Sequence, residues 1–422
     1  MPSDESPVSE SRPGAVTPLR HAPAPLDAEA FRTGFGEDLS SVLDLGSWYA
    51  GRDLTREYDR IQQEVAEAVR LESDVQRRVR LEVFPKLSDP AGPLDIAGVY
   101  PAREDVLERI HRGLLFNGQV EACDGTIQVH DTLPLTIYQV GVSLVSYHGD
   151  QGTWHQRLFR RDLKQNLGDP VEQTLAILQQ RAQRSALNHT QPSDALGELA
   201  QKTIMDYGER AVLVDHSQAV WRVGHGNPIT YELLTGGGIF ELMVAGTKVL
   251  RQLIEEHRKF VYVASEPRDR ALLTIGQALL PGHYAIVFTL DRMLIGWFDQ
   301  KRFKIQDAEP LLWDGEPIKP MQWIPHFIKR VASQVVVGVY RASLEAPAHL
   351  FYAHRDHAHY AAHIVLADSR MQPHRGFPLL IDLAHNICSS VFAGSLDYLT
   401  EAAYAAAGVP FRYKTERSSR NR

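Results

Sequence analysis

Apolar and polar positions divide the chain into stretches of different period. Residues 1–26 show no periodicity and are rich in Pro, Ser and Ala, the make-up of a disordered tail. Residues 27–114 carry helical patterning. It is densest from Thr55 to Val83, where Ile61, Val65, Val69, Leu71 and Val75 recur among charged residues and predict a long amphipathic helix. The loop Ser88-Asp-Pro-Ala-Gly-Pro follows, then a short helix over Arg103 to Leu114. At that point the period changes. Gln119 to Val129, Leu135 to Tyr147 and Thr153 to Leu163 have strand character and short turn-rich connections, which predicts an antiparallel meander.

Helical spacing returns over Pro170 to Ala186 and Asp194 to Tyr207. The run Ala211-Val-Leu-Val, ending at Asp215, has no polar alternation and reads as a strand buried on both faces. A helix over Phe240 to Arg258 leads to a second such run, Phe260 to Ala264. His283 to Leu290 and Gln334 to Tyr340 are further strands, and Pro378 to Ala407 is the last helix. Strands and crossover helices in this order predict an α/β fold: a mixed sheet with helices on its faces, spanning residues 115–410. A helical region precedes it, and a basic tail, residues 411–422, follows.

Composition narrows the function classes. The net charge is −7 and 44% of residues are hydrophobic. A sizeable core is available, and a histone-like basic DNA binder is excluded. Any contact with nucleic acid must come from local basic patches. Cys123 and Cys388 are the only cysteines, so neither a disulfide framework nor a cysteine zinc site is expected. The chain start lacks an apolar core, and Ala271 to Phe298 is broken by Pro281, Gly282, Asp291 and Arg292. A cytoplasmic protein without a membrane span is expected. Gly236-Gly-Gly238 is not followed by the lysine of a phosphate loop, so ATP hydrolysis is not expected of this chain.

Asp124 lies within the first meander strand, in Ala-Cys-Asp-Gly-Thr. An aspartate inside a strand needs a compensating charge, and a metal ion would supply it. An Asp-Gly pair is also a common hairpin turn. Asp215 closes the apolar run, where functional groups of open sheets collect; a helix-cap or turn aspartate fits the position equally well. Glu198 lies seventeen residues earlier on a helix, and His385 on the last helix with Asp382 three residues before it. Glu198 would ordinarily be a solvated surface group.

The order of these groups resembles the NurA nucleases, which process DNA ends with the hexameric HerA translocase. The resemblance covers roughly residues 119–408. It rests on Cys-Asp124-Gly-Thr, on Val-Leu-Val-Asp215-His-Ser with Glu198 before it, and on Gly376-Phe377-Pro378 followed by Ala384-His385. It implies an RNase H-like fold and a metal-dependent deoxyribonuclease, a single-strand endonuclease and 5′-to-3′ exonuclease acting at double-strand breaks. It also implies a homodimer that docks on a HerA-like hexameric ATPase. Asp124, Glu198, Asp215 and His385 would hold two Mn²⁺ or Mg²⁺ ions, a number suited to in-line phosphodiester cleavage. Three positions depart from the family: Thr126 where Ser is common, Phe377 where Tyr is usual, and Ala264-Ser265-Glu266-Pro-Arg268 where a lysine often stands.

Arg157, Arg160, Arg161 and Lys164 form a basic segment beside Phe159; together with Arg268 they are candidates for gripping DNA phosphates. His349, His354, His357, His359 and His363 make a histidine-rich stretch, a polar loop or phosphate-contacting surface rather than a zinc site. Two rival functions remain open: a non-catalytic DNA clamp or adaptor for a translocase, and a histidine-rich metal phosphoesterase.

Overall fold

A computed structural model describes residues 27–48, 54–89, 92–133, 135–148, 153–162, 171, 175, 199–265, 269–297, 309–392 and 394–411. The chain divides into two compact units, residues 1–73 and 74–422. In the first, α1 (Ala28–Phe35) and α2 (Leu39–Leu43) precede α3 (Leu54–Arg78), which runs on across the boundary. Asp27 caps α1 through Ala30 N at 2.7 Å, and Gly36 ends it in the left-handed region, as capping requires. The helix expected from Thr55 is present, but its apolar row stays exposed: Ile61, Val65, Val69 and Leu71 are each about half accessible.

The second unit is built on a nine-stranded sheet in the order β1-β7-β10-β11-β6-β5-β2-β3-β4. The strands are β1 (Gly98–Pro101), β2 (Val120–Asp131), β3 (Leu135–Val145), β4 (Thr153–Asp162), β5 (Trp221–His225) and β6 (Phe260–Ala264). They continue with β7 (His283–Thr289), β10 (Val335–Arg341) and β11 (His349–His354). A separate hairpin pairs β8 (Leu311–Trp313) with β9 (Glu316–Ile318). Only β2 with β5 and β5 with β6 run parallel; the other pairs of the large sheet are antiparallel. A mixed sheet covered by helices is therefore what the chain forms. Every residue of β10 and β11 is buried, which marks them as the middle of the core, each valine there contributing about 1.5–3 kcal/mol.

The helices are α4 (Phe84–Leu87), α5 (Glu104–Ile110), α6 (Met205–His216), α7 (Tyr231–Thr235), α8 (Phe240–Arg251) and α9 (Arg270–Ala278). They continue with α10 (Asp291–Trp297), α11 (Pro320–Arg330), α12 (Ala358–Ser369), α13 (Leu379–Phe392) and α14 (Ser395–Ala406). One core lies on the α6 side of the sheet, with Cys123, Val140, Val142, Leu213 and Leu250. The other lies on the α13 side, with Ala122, Val145, Leu380, Ile381 and Ala384. Residues 379–406 form a stretch long and apolar enough to cross a membrane, yet Leu380, Ile381, Ala384 and Cys388 of α13 are buried.

Three elements differ from expectation. Residues 211–215 are not a strand but the last turns of α6. The strand that pairs parallel with β2 is Trp221–His225, and β1 lies inside the region expected to be helical. The expected helix over Pro170 to Ala186 falls almost wholly outside the described residues.

Candidate functional site

The parallel pairing of β2 with β5 ends at Cys123 and Gly224. Beyond it β2 continues while β5 stops at His225, which opens a crevice at the end of a parallel strand, where sheets of this kind gather function. Asp124 is the first β2 residue past that point, 3% exposed. Alternation along the strand turns it to the α13 side with Ala122. His225, from the end of β5, lies with Nδ1 3.3 Å from Asp124 Oδ1. His385, from α13, donates from Nδ1 to Asp124 Oδ2 at 2.7 Å. Ser265 Oγ, just past β6, is 3.0 Å from His225 Nε2.

A second carboxylate reaches the crevice from α6. Glu209 packs against Gly125, where a Cβ would fall 2.5 Å from Glu209 Oε1. Only a glycine after Asp124 leaves that space, so the Asp-Gly pair is kept by close approach and not by a turn. The neighbouring Arg210 is 2% exposed. It donates to Glu209 Oε2 at 2.6 Å, to Asn227 O at 2.7 Å and to Asp206 O at 3.2 Å. Thr230 Oγ donates to Asp206 Oδ2 at 2.6 Å. Arg210 thus ties α6 to the loop after β5. These groups surround an open cavity of about 330 Å³.

Charge in the cavity is finely divided. Burial pushes the Glu209 carboxyl up, Arg210 pulls it down, and Asp124 and Asp206 push it up again, to about 8. Burial pulls the His225 imidazole down, but the hydrogen bond and charge of Asp124 outweigh it and hold it above the ordinary value. Arg210 loses to burial and gains from Glu209 and Asp206, and stays charged. A carboxyl pushed up by burial and by a second carboxylate is a place where a cation would relieve the cost of its charge.

The residues proposed from sequence divide accordingly. Asp124 and His385 meet. Asp215 does not join them: it is exposed in the last turn of α6, after which Glu121 accepts hydrogen bonds from Ser217 Oγ at 2.6 Å and Gln218 N at 3.1 Å and turns the chain into β5. Glu198 lies outside the described residues. Asp382 accepts from Arg375 Nη2 at 3.0 Å and Gln372 Nε2 at 2.8 Å and does not line the cavity. Arg157 and Arg160 are exposed on the edge strand β4, paired in register with Val140 and Ile137 of β3. Being three apart, they face opposite sides of the sheet and cannot grip one strand from one side. Arg161 belongs to β4, with its side chain undescribed; Lys164 and Arg268 lie outside the described residues. Glu209 and His225 escaped the sequence reading. Their signals were Gly125, whose missing side chain needs a neighbour, and a polar residue closing the strand Trp-Arg-Val-Gly-His.

Among solved structures, the chain is similar to the NurA nuclease from Sulfolobus solfataricus, at 10% identity and a TM-score of 0.42, over 82% of this chain and 98% of that one. The similarity is to NurA nucleases. A NurA structure bound to dAMP and manganese is matched at 9% identity and a TM-score of 0.40, over 84% of this chain and 98% of that one. A third NurA structure, with manganese, is matched at 11% identity and a TM-score of 0.34. No family model and no curated protein matches the sequence.

Among the described residues no three His, Cys, Asp or Glu groups converge on one point as they stand, because both Asp124 oxygens are taken by imidazoles and Glu209 Oε2 by Arg210. In chemistry the set fits one cation of the manganese type, with two carboxylates and two imidazoles in one crevice. The four-ligand set read from sequence, holding two ions, is not assembled, since Asp215 is turned away.

Proposed function

We propose that the chain is a metal-dependent deoxyribonuclease with Asp124 at its centre. The single observation that carries this is that Asp124 of β2, His225 of β5, Glu209 of α6 and His385 of α13 line one open crevice. Such a set recurs where phosphodiesters are hydrolysed. The motif resemblance to NurA supports DNA as substrate. On that reading the finer functions are single-strand endonuclease and 5′-to-3′ exonuclease activity during double-strand break repair. Homodimerisation, docking on a HerA-like hexameric ATPase and a cytoplasmic location belong to the same reading.

Asp124 and Glu209 would hold a Mn²⁺ or Mg²⁺ ion, with His225 and His385 as further ligands. When bound, the ion supplies charge neutralisation at the phosphate and acidifies a water. The protein's own groups do the rest. Arg210 fixes the rotamer of Glu209 and keeps its charge balanced in a buried place. His385 and His225 hold the plane of the Asp124 carboxylate from two sides. Gly125 lets the two carboxylates approach. Ser265 sits where it can orient His225.

A second reading has its own support. The carboxylates are already satisfied by His225, His385 and Arg210, as they would be in a clamp or adaptor that binds DNA without cutting. An assay with Mn²⁺ on single-stranded and end-labelled duplex DNA separates the two. The expected result is cleavage by the wild type and a loss of at least about ten-thousandfold in Asp124→Ala, with DNA binding retained. If Asp124→Ala cuts as fast as the wild type, the site is wrong; binding without cutting under any metal selects the clamp.

A further inference from the structure

A second cavity, about 560 Å³, lies between β1, β7, α5 and α12. It shares no residue with the Asp124 crevice. β1 stands six strands from β2 in the sheet order, about 29 Å at the usual strand spacing. Its wall is aromatic. Tyr100 and Tyr284 stack at 5.5 Å, and His359 meets Tyr100 edge-on at 4.7 Å. Tyr284 Oη is 2.8 Å from His359 Nδ1, which fixes both rings. His363 donates from Nδ1 to His359 O at 2.6 Å, so in its neutral form Nε2 is left as an acceptor. Tyr360, 62% exposed, offers an open ring face at the edge.

The mouth carries two guanidinium groups. Arg103 donates to both oxygens of Asp105 at 3.0 Å, and Arg109 to one of them at 3.2 Å. The trio keeps one net positive charge. Both arginines are about 70% exposed, and a guanidinium has five N–H donors, so each retains donors for an anion. Nearby Glu104 is taken by Arg370.

We propose that this cavity binds a nucleotide: the base among the tyrosine and histidine rings, the phosphate on Arg103 and Arg109. The volume lies in the range of small-ligand pockets. Rings of this kind stack bases without regard to sequence, and paired guanidiniums suit phosphate oxygens. The nucleotide has two possible sources, a free mononucleotide or the unpaired end of a strand.

The test uses the full chain carrying Asp124→Ala, with a chelator present, so that cutting plays no part. Binding of dAMP, adenosine, inorganic phosphate and a 5′-phosphorylated single-stranded 12-mer is measured by calorimetry, and the His359 and His363 ring resonances are followed by NMR. The dAMP complex should shift those resonances. Arg103→Gln with Arg109→Gln should weaken dAMP at least about tenfold and adenosine little. Tyr360→Ala should weaken both about fivefold or more, as the loss of one stacked base predicts. All three positions are exposed, so circular dichroism should not change. If dAMP does not bind at millimolar concentration, or binds equally well in both variants, the proposal fails. A 12-mer that binds more than about tenfold tighter than dAMP, and loses that advantage in the same variants, identifies the strand end; equal affinities identify the free nucleotide.

Discussion

The two cavities of residues 74–422 bury polar groups in opposite ways. The Asp124 crevice puts carboxylates at its floor and surrounds them with two imidazoles and one buried guanidinium. The β1–β7 cavity keeps its guanidiniums at the rim and lines its wall with rings, and the carboxylate beside them, Asp105, is spent on Arg103 and Arg109. Buried charge is expensive unless something balances it, so the first arrangement suits a cation and a charged reaction. The second suits a planar ligand with an anionic tail, since rings cost little to bury and rim cations stay solvated. A site for chemistry and a site for grip can thus be told apart by where the charge sits.

Glu209→Gln should break this comparison first if it is wrong. Glutamine still accepts a hydrogen bond from Arg210, so the fold should hold. The crevice loses its second carboxylate, and Mn²⁺-dependent cutting should fall about a thousandfold. Binding of dAMP to the chelated protein should not change. A parallel fall in both would show that the two cavities are one site.

Asp368 joins the two. It lies on α12, which carries His359 and His363 to one cavity, and its Oδ2 accepts from Leu380 N at 3.0 Å, at the start of the helix that carries His385 to the other. Tyr147 Oη donates to Oδ1 at 2.6 Å. Burial outweighs both bonds and pushes the carboxyl up to about 6, from an ordinary 3.8. The folded chain therefore keeps a proton that the unfolded chain has lost between those values. That stabilisation is whole below about pH 4 and is lost as pH rises through 6, by up to about 3 kcal/mol. Urea unfolding between pH 4 and 7 should show the decline in the wild type and a flatter curve in Asp368→Asn. Equal slopes would show that the carboxyl is not held protonated.

What the sequence made legible follows from how much each segment depends on distant partners. The meander is legible nearly to its ends, because β2, β3 and β4 follow one another in the chain and each pairs with its sequence neighbour. Asp124 and His385 were found because an aspartate inside a strand and a histidine on an apolar helix both ask for partners. The run Ala211 to Val214 was misread because four apolar residues fit a buried strand or a helix flank equally well. The turns before it, with Arg210 held by Asn227 O in the loop after β5 and stacked over the Tyr262 ring of β6, decide for helix. That error carried Asp215 into the site and left out Glu209 on the same helix. The histidine-rich stretch was read as one surface, but it divides. His349 and His354 lie in the buried strand β11, where His349 Nε2 meets Arg375 O at 3.0 Å and His354 Nε2 meets Gln334 Oε1 at 3.2 Å. His359 and His363 lie on α12 at the second cavity. A buried histidine with a hydrogen-bond partner looks like an exposed one in a sequence; the partner is supplied by the fold.

Phe377 gives the smallest expected effect and bears most directly on the charged crevice. Gly376 takes a left-handed turn at φ 59°, and a Cβ there would fall 2.5 Å from that of Ala346, so the chain before α13 is fixed. It directs the Phe377 ring into the core, 5% exposed, in edge-on contacts with ring centroids 5.8 Å from that of His225 and 5.3 Å from that of His349. Its contribution is to hold His225 against Asp124 by packing. Phe377→Tyr adds a hydroxyl that must find an acceptor among those rings, at a cost of about 1 kcal/mol. Cutting should stay within about threefold of the wild type, and the melting temperature should fall by a few degrees. A rise of tenfold or more in cutting would mean that the crevice lacks a hydroxyl it can use, and would move the phenylalanine from packing to chemistry.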